Sequence, residues 1–183
     1  MRELPPALLA LAAAGCASIP ESCRDMSGVT PYLIDVGGRA VLADWTYADE
    51  GARLRHLHCR AERGEQAAQL ELGRSYEAGD GLAPDLARAA DYYRQAAAAI
   101  PPRTPIYSPP VRPGGSGQVI WVSNANARPA SPEAQFRLGL MLVEGRGVAR
   151  DEARGRGLIA DAAKAGFYPA RHWLSLHDSR SRD

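Results

Sequence analysis

The sequence contains almost no lysine. Lys164 is the single lysine among 22 basic residues, so arginine carries nearly all of the positive charge. Arginine stays protonated and suits the planar recognition of carboxylates. The 21 acidic residues leave a formal net charge of only +1. Because proteins that bind nucleic acid need an excess of positive charge to neutralise phosphates, this balance argues against nucleic acid as the main partner.

Catalytic motifs are also missing. The sequence has no phosphate-binding glycine loop followed by Lys-Ser or Lys-Thr, no dinucleotide fingerprint and no His-Glu-x-x-His. Residues 114–117, Gly-Gly-Ser-Gly, do not complete Gly-x-Ser-x-Gly and are typical of a linker. Carboxylates such as Asp80, Glu144 and Asp161 are scattered over predicted turns and helix surfaces. The sequence therefore predicts no catalytic residue and no cofactor, in a protein that is not an enzyme.

No apolar run is long enough to span a bilayer as a helix. The run from Leu8 to Ala14 follows Arg2 and leads into Gly15 and Cys16. Small residues before a cysteine resemble a bacterial lipobox, which implies that residues 1–15 are a signal peptide and that Cys16 carries lipid. Alanine after the cysteine implies a lipoprotein on the periplasmic face of the outer membrane. The alternatives are an ordinary secretory signal and an unstructured cytosolic end.

Only three cysteines occur. If Cys16 carries lipid, Cys23 and Cys59 form an even pair, and an oxidising compartment then favours a disulfide. His56 and His58 also suggest a metal site with Cys59. On one helix, however, His58 points away from the face that the other two share, which argues against a metal. An unpaired core thiol is the remaining alternative.

What the sequence does contain is an internal repeat. Residues 134–163 align without a gap to residues 68–97. The shared residues are small, apolar or typical of turns: Ala68 and Ala134, Leu72 and Leu138, Gly73 and Gly139, Gly79 and Gly145, Gly81 and Gly147, Asp85 and Asp151. Such self-similarity predicts a repeat architecture.

Each copy of the repeat predicts a pair of helices. Ala68, Leu72 and Tyr76 are spaced at i, i+4 and i+8, which places them in one stripe on one helix. Gly79 can end that helix in the left-handed conformation, and Asp85 can cap the next one. A helical hairpin of this kind cannot bury its stripe alone and must stack on its neighbours.

The pattern Ala-x-x-x-Leu-Gly, then Gly-x-Gly, Asp and Ala-Ala, resembles the Sel-like repeat family, which is related to tetratricopeptide solenoids. The resemblance implies an all-α fold, a short α-α solenoid. Residues 48–100 would hold a degenerate closing helix and the first repeat, and residues 132–177 the second repeat and a truncated third. By the same resemblance, the function is a non-catalytic scaffold or adaptor that holds a periplasmic or envelope protein.

Four residues are candidates for contact with that partner: Arg74, Tyr76, Tyr93 and Trp121. Tyr76 and Tyr93 fit the core equally well. The competing function is an envelope hydrolase or a protein that binds a cell-wall or other small ligand, and a third is a secreted effector or immunity-type protein. A broad groove favours the adaptor, whereas a pocket of converging polar groups favours the competing function.

Two stretches outside the repeats favour extended structure. Residues 16–31 are a linker, and residues 32–47 predict a β-hairpin with strands at Tyr32–Val36 and Arg39–Ala43 around two glycines. The proline-rich insertion, residues 101–131, should be extended and non-helical in its first half.

The second half of the insertion contains one strand-like run, Gln118–Ser123. An isolated hairpin is not stable, so we expect this run to meet the hairpin at residues 32–47. The insertion itself reads either as a surface loop packed on the helices or as a binding segment, for which a Pro-x-x-Pro ligand is one form. Residues 178–183 are a tail.

Overall fold

The structure is a computed structural model that describes residues 20–36, 39–109 and 117–178. The predicted signal segment, the lipidation site Cys16 and the glycine pair at 37–38 lie outside the described residues. The chain divides into two compact units, Met1–Cys59 and Arg60–Asp183. Among the described helices, none has the length and hydrophobicity needed to cross a membrane.

The first unit contains a β-hairpin and most of the first helix. A short 3-10 helix, Glu21–Cys23, precedes β1 (Val29–Asp35) and β2 (Ala40–Tyr47), and α1 (Glu50–Glu62) follows. The two strands are antiparallel, with a register shift after Tyr32. This confirms the predicted hairpin, although both strands are longer than the sequence indicated.

A disulfide is present between the predicted cysteines. The Sγ atoms of Cys23 and Cys59 are 2.02 Å apart, so the bond joins the short 3-10 helix to α1. His56 is buried in the same unit, with its Nδ1 3.1 Å from the hydroxyl of Tyr47 and its ring 4.5 Å from that of Trp45. No group of potential metal ligands occurs among the described residues. His56 is therefore a packed core residue.

The second unit contains two helical hairpins, a β-hairpin between them and a final helix. Its elements are α2 (Gln66–Ala78), α3 (Leu86–Ala97), β3 (Arg103–Ser108), β4 (Gln118–Ser123), α4 (Pro132–Glu144), α5 (Glu152–Lys164) and α6 (Tyr168–Asp178). Helix α2 packs against α3 and α4 against α5, while α3 also contacts α4 and α5 contacts α6. The structure thus confirms the predicted α-α solenoid.

The helix ends follow the sequence pattern. Gly79 and Gly145 end α2 and α4 in the left-handed conformation, with φ of 77° and 73°. Asp85 and Asp151 cap α3 and α5, since each carboxylate accepts a hydrogen bond of 3.0 Å from the amide three residues later. These contacts satisfy backbone groups that would otherwise lack a partner at helix termini.

The insertion folds back on itself. Strands β3 and β4 are antiparallel, from Arg103 opposite Ser123 to Ser108 opposite Gln118. The prediction that Gln118–Ser123 would meet the hairpin at 32–47 was wrong, because β4 pairs with the proline-rich half of its own insertion. A local partner costs less loop-closure entropy than a distant one.

In each repeat, a glycine of the first helix lies against a large side chain of the second helix. A Cβ atom at Gly73 would stand 2.4 Å from the ring of Tyr93, and one at Gly139 would stand 2.7 Å from Cγ1 of Ile159. The glycines therefore let the first helix of each repeat approach the second closely. Tyr93 and Ile159 occupy matching positions in the two repeats, and both are fully buried.

This contact predicts that Gly73→Ala destabilises the protein. The new methyl group would overlap the Tyr93 ring, and overpacking of this kind costs about 1 to 3 kcal/mol. Gly157→Ala is the matched control, because Gly157 also lies inside a helix but has no atom within 4 Å of the added Cβ. The control should gain about 0.5 to 1 kcal/mol from helix propensity. Urea unfolding of both variants measures the difference, and equal effects would contradict the packing account.

Candidate functional site

The four residues predicted for partner contact do not form one exposed surface. Trp121 lies on β4 with 61% of its surface exposed, and Arg74 is exposed on α2. Tyr93 is fully buried, and Tyr76 is 5% exposed. Two of the four side chains are therefore accessible, and they lie on different elements of the second unit.

Tyr93 and Tyr76 belong to the core of the first repeat. The hydroxyl of Tyr93 donates a 2.7 Å hydrogen bond to Oε2 of Glu77, and burial together with that carboxylate raises the pKa of Tyr93. The ring of Tyr76 stacks on that of Tyr92, with centroids 5.7 Å apart. Both tyrosines are therefore buried in the core of the first repeat, which is the alternative that the sequence left open.

Arg74 leads to a cluster of charges that the sequence did not reveal. Its Nε donates to Oε1 of Glu133 at 3.0 Å, which links α2 to the first turn of α4. Glu133 Oε1 also accepts from Nε of Arg137, one turn further along α4, at 2.9 Å. The carboxylate of Glu133 is therefore held between two guanidinium groups.

A second carboxylate completes the cluster. Glu77 Oε2, which accepts from Tyr93, also accepts from Nη1 of Arg137 at 3.0 Å. Nη2 of Arg146 lies 3.4 Å from the other oxygen of Glu77. We call Arg74, Glu77, Glu133 and Arg137 the inter-repeat ion cluster, because it joins the first helices of the two repeats.

The charges in this cluster stabilise one another. Partial burial opposes ionisation of Glu133, but hydrogen bonds from Arg74 and Arg137 outweigh it and hold the pKa of Glu133 below its usual value. Burial likewise opposes the charge of Arg137, yet its contacts with Glu133 and Glu77 raise the pKa of Arg137. Both groups are consequently ionised at neutral pH.

An apolar cavity opens beside the ion cluster. Its volume is about 200 Å³, and we call it the inter-repeat cavity. It is lined by Glu77, Glu133, Phe136, Arg137, Leu140, Phe167 and Pro169. The rings of Phe136 and Phe167 are 5.6 Å apart and tilted, so they form an aromatic wall. The cavity therefore combines an apolar interior with a charged rim.

The sequence does not reveal this site, because its charged residues come from two different repeats. Glu133 and Arg137 are spaced i, i+4 on α4, a pattern that can be read as an ion pair on one helix. Their other partners lie about 60 positions away, since Arg74 and Glu77 belong to the other repeat. No periodicity within one helix indicates such a contact.

A second cavity lies at the base of the insertion. It has a volume of about 540 Å³, and its lining includes three arginines, Arg60, Arg63 and Arg128. Nε of Arg60 donates to Glu65 at 2.7 Å, and Nη1 of Arg128 donates to the carbonyl of Gly64. Two of the three guanidinium groups are thus already engaged in holding the loop between α1 and α2. We call this the basal cavity.

The chemistry of the inter-repeat site suits recognition. Its carboxylates are paired with guanidinium groups, which leaves neither Glu77 nor Glu133 positioned as a free general base. The lining of the cavity offers no serine, cysteine or histidine as a nucleophile. An apolar hollow with a charged rim is typical of a pocket for a protein side chain.

Comparisons with known proteins agree with the fold. The Sel1 repeat profile matches residues 66–99 and 132–167, which contain the two helical hairpins. Proteins with Sel1 repeats generally mediate protein-protein interaction. No curated protein matches the chain.

Several solved structures are similar to this chain, and two of them illustrate the likeness. A Sel1 repeat protein from Oxalobacter formigenes is 25% identical, with a TM-score of 0.50, over 72% of this chain and 29% of that one. A protective antigen from uropathogenic Escherichia coli strains, which displays an SLR fold, is 24% identical, with a TM-score of 0.47, over 74% of this chain and 27% of that one. The chain thus spans less than a third of the length of either structure.

The ion cluster predicts that Glu133→Gln destabilises the protein at neutral pH. The variant leaves Arg74 and Arg137 without their shared carboxylate, and we expect a loss of about 1 to 2 kcal/mol. Because the pKa of Glu133 is lowered in the folded state, its contribution is present above the usual value of 4.5 and is lost as pH falls through the lowered pKa. The difference between wild type and variant should therefore shrink in acid.

Asp161→Asn is the control for this prediction, since it breaks an exposed pair with Lys164 on α5. Its effect should stay below about 0.5 kcal/mol. The measurement is urea unfolding at pH 7 and at pH 3. Equal losses in Glu133→Gln and Asp161→Asn at pH 7 would contradict a stabilising role for the cluster.

Proposed function

We propose that this chain is a non-catalytic adaptor of the bacterial cell envelope that holds a protein partner at the inter-repeat cavity. The observation that carries the proposal is the cavity itself, an apolar hollow of about 200 Å³ between the two repeats with arginine and glutamate at its rim. The two Sel1 repeat matches support a role in protein-protein interaction.

The size of the cavity favours a side chain over a small molecule. Sites for small ligands and cofactors usually measure about 300 to 1,000 Å³. A smaller apolar cavity fits the side chain of a single anchor residue of a protein partner, with polar contacts around it. Arg74 pairs with Glu133, which lines the cavity, and is 47% exposed, so it can also contact an acidic group next to that anchor.

An envelope address is supported by two features of the first unit. The disulfide between Cys23 and Cys59 suits an oxidising compartment, since such bonds are rare in the cytosol. The lipobox-like residues that precede Cys16 suggest a lipid anchor. Together they favour a lipoprotein on the periplasmic face of the outer membrane and a periplasmic partner.

The lipid anchor predicts that Cys16→Ser releases the protein from membranes. Serine cannot accept the thioether-linked diacylglycerol, so the variant should move to the soluble fraction and lose incorporation of radiolabelled palmitate. Cys23→Ser is the control, because it removes another cysteine but leaves the lipobox-like sequence intact. Unchanged membrane fractionation of Cys16→Ser would rule out the anchor.

The partner site predicts cross-linking at the mouth of the inter-repeat cavity. A photoreactive phenylalanine at exposed Pro169 should give a discrete protein adduct in intact cells, whereas the same group at exposed Lys164 should not. Leu140→Trp should fill the cavity and reduce the Pro169 adduct at least tenfold. Leu176→Trp, at a 52% exposed position on α6, should leave it unchanged. Equal adducts at both positions would contradict the site.

The second candidate function is binding of a small anionic cell-wall ligand. The basal cavity favours it, because about 540 Å³ falls within the range of small-ligand sites and Arg63 lines it, beside Arg60 and Arg128, which hold the loop between α1 and α2. If this function is right, titration calorimetry should detect binding of soluble peptidoglycan fragments to the protein. The Arg63→Ala variant should then show no binding. This function predicts no protein adduct at Pro169.

A further inference from the structure

The β3–β4 hairpin exposes apolar side chains on both faces. Opposite residues of an antiparallel pair share a face, so the observed register sorts the side chains into two sets. One face carries Ile106, Ile120 and Val122, and the other carries Tyr107, Val119 and Trp121. Each of these six side chains is between 45% and 63% exposed. The exposed apolar surface is on the order of several hundred Å², at the upper end for a monomer.

The sequence of β4 is unusual for a strand with this exposure. Residues 119–122, Val-Ile-Trp-Val, form a continuous apolar run, which is typical of a strand covered on both faces. A two-stranded hairpin alone is marginally stable in water, and additional strands are needed for independent stability. Strand β4 therefore has the composition of a strand inside a sheet, although it lies at the edge of one.

The four strands differ in how their free edges are protected. Exposed sheet edges are usually protected by charges, proline or a bulge. Strand β1 contains Pro31 and a register shift after Tyr32, β2 contains Asp44, and β3 contains Arg103 and Pro105. Strand β4 contains no charge and no proline, and its register is regular. Among the described strands, β4 alone has an unprotected edge.

We propose that β4 pairs edge to edge with β4 of a second copy of this chain. Two hairpins would then form one continuous four-stranded antiparallel sheet across a two-fold axis. The pairing supplies partners for the free backbone amides and carbonyls of both edges. It goes beyond the adaptor function, because it concerns the insertion and not the inter-repeat cavity.

A second copy fits the chemistry of this edge. In an isologous contact the same strand edge of both copies is paired, so a charged residue on that edge would lie near the same charge on the other copy. Strand β4 is neutral from Gln118 to Ser123 and escapes that repulsion. A lipid surface fits less well, because hydrocarbon offers no partner for the backbone groups of an open sheet edge.

The symmetry also places the apolar side chains. A two-fold axis perpendicular to the sheet keeps each face on its own side, so Ile120 continues one apolar surface and Trp121 the other. With the axis at Ile120, the two Ile120 residues lie opposite each other, and each Trp121 lies opposite Val119 of the second copy. Aromatic and β-branched pairs of this kind stabilise antiparallel sheets.

The test compares a lysine on β4 with a lysine on β3. Ile120 and Ile106 face each other across the hairpin and are 50% and 51% exposed, so the two substitutions change the same apolar face equally. The background is the full chain with Cys16→Ser, and the measurement is sedimentation equilibrium. Wild-type β4 should give a dimer, and Ile120→Lys should weaken dimerisation at least tenfold more than Ile106→Lys. A monomer at all concentrations, or equal effects of the two lysines, would overturn the proposal.

A cross-linking experiment separates edge pairing from face packing. In the same background, Ile120→Cys should form an intermolecular disulfide on mild oxidation, because paired edges bring the two Cα atoms within reach. Ile106→Cys, on the far strand, should stay mostly monomeric. Circular dichroism checks that both variants fold. Preferential linkage through residue 106, or binding of the monomer to phosphatidylglycerol vesicles with quenching at Trp121, would show that another surface covers this hairpin.

Discussion

The structure depends on the close contact between a helical glycine and a large side chain of the paired helix. In the first repeat Gly73 lies under the ring of Tyr93, and in the second Gly139 lies under Ile159. Because the two helices of a repeat can approach closely only where a side chain is absent, the glycine leaves room for one large buried side chain of the second helix. Each hairpin thus acquires a buried centre of its own.

That contact also builds the candidate site. Tyr93 is buried by Gly73 on one side, and its hydroxyl reaches Glu77 on the other. Glu77 in turn holds Arg137 of the second repeat, which shares Glu133 with Arg74. Packing inside the first repeat is therefore connected to the ion cluster between repeats, and three residues of the cluster, Glu77, Glu133 and Arg137, line the cavity. The second repeat has isoleucine in place of Tyr93, so it cannot repeat this arrangement.

The insertion follows a different principle from the repeats. Its base is closed by paired hydrogen bonds of 2.9 Å between Ile100 and Arg128, so the hairpin leaves the solenoid at one defined place. Beyond that base, the apolar side chains of β3 and β4 stay exposed. The solenoid meets its own need for burial by stacking repeats, whereas the hairpin has too few strands to do so.

The sequence alone determined the two helical hairpins, because stripes of alanine and leucine, glycine stops and aspartate caps are local signals that each repeat carries twice. It also indicated the β-hairpin and the cysteine pair. The contacts between repeats depend on the folded chain, since Arg74 and Glu133 are 59 positions apart and no local pattern relates them. The pairing of β4 with β3 was likewise decided there, because strand partners depend on loop closure and competition between edges, which composition does not encode.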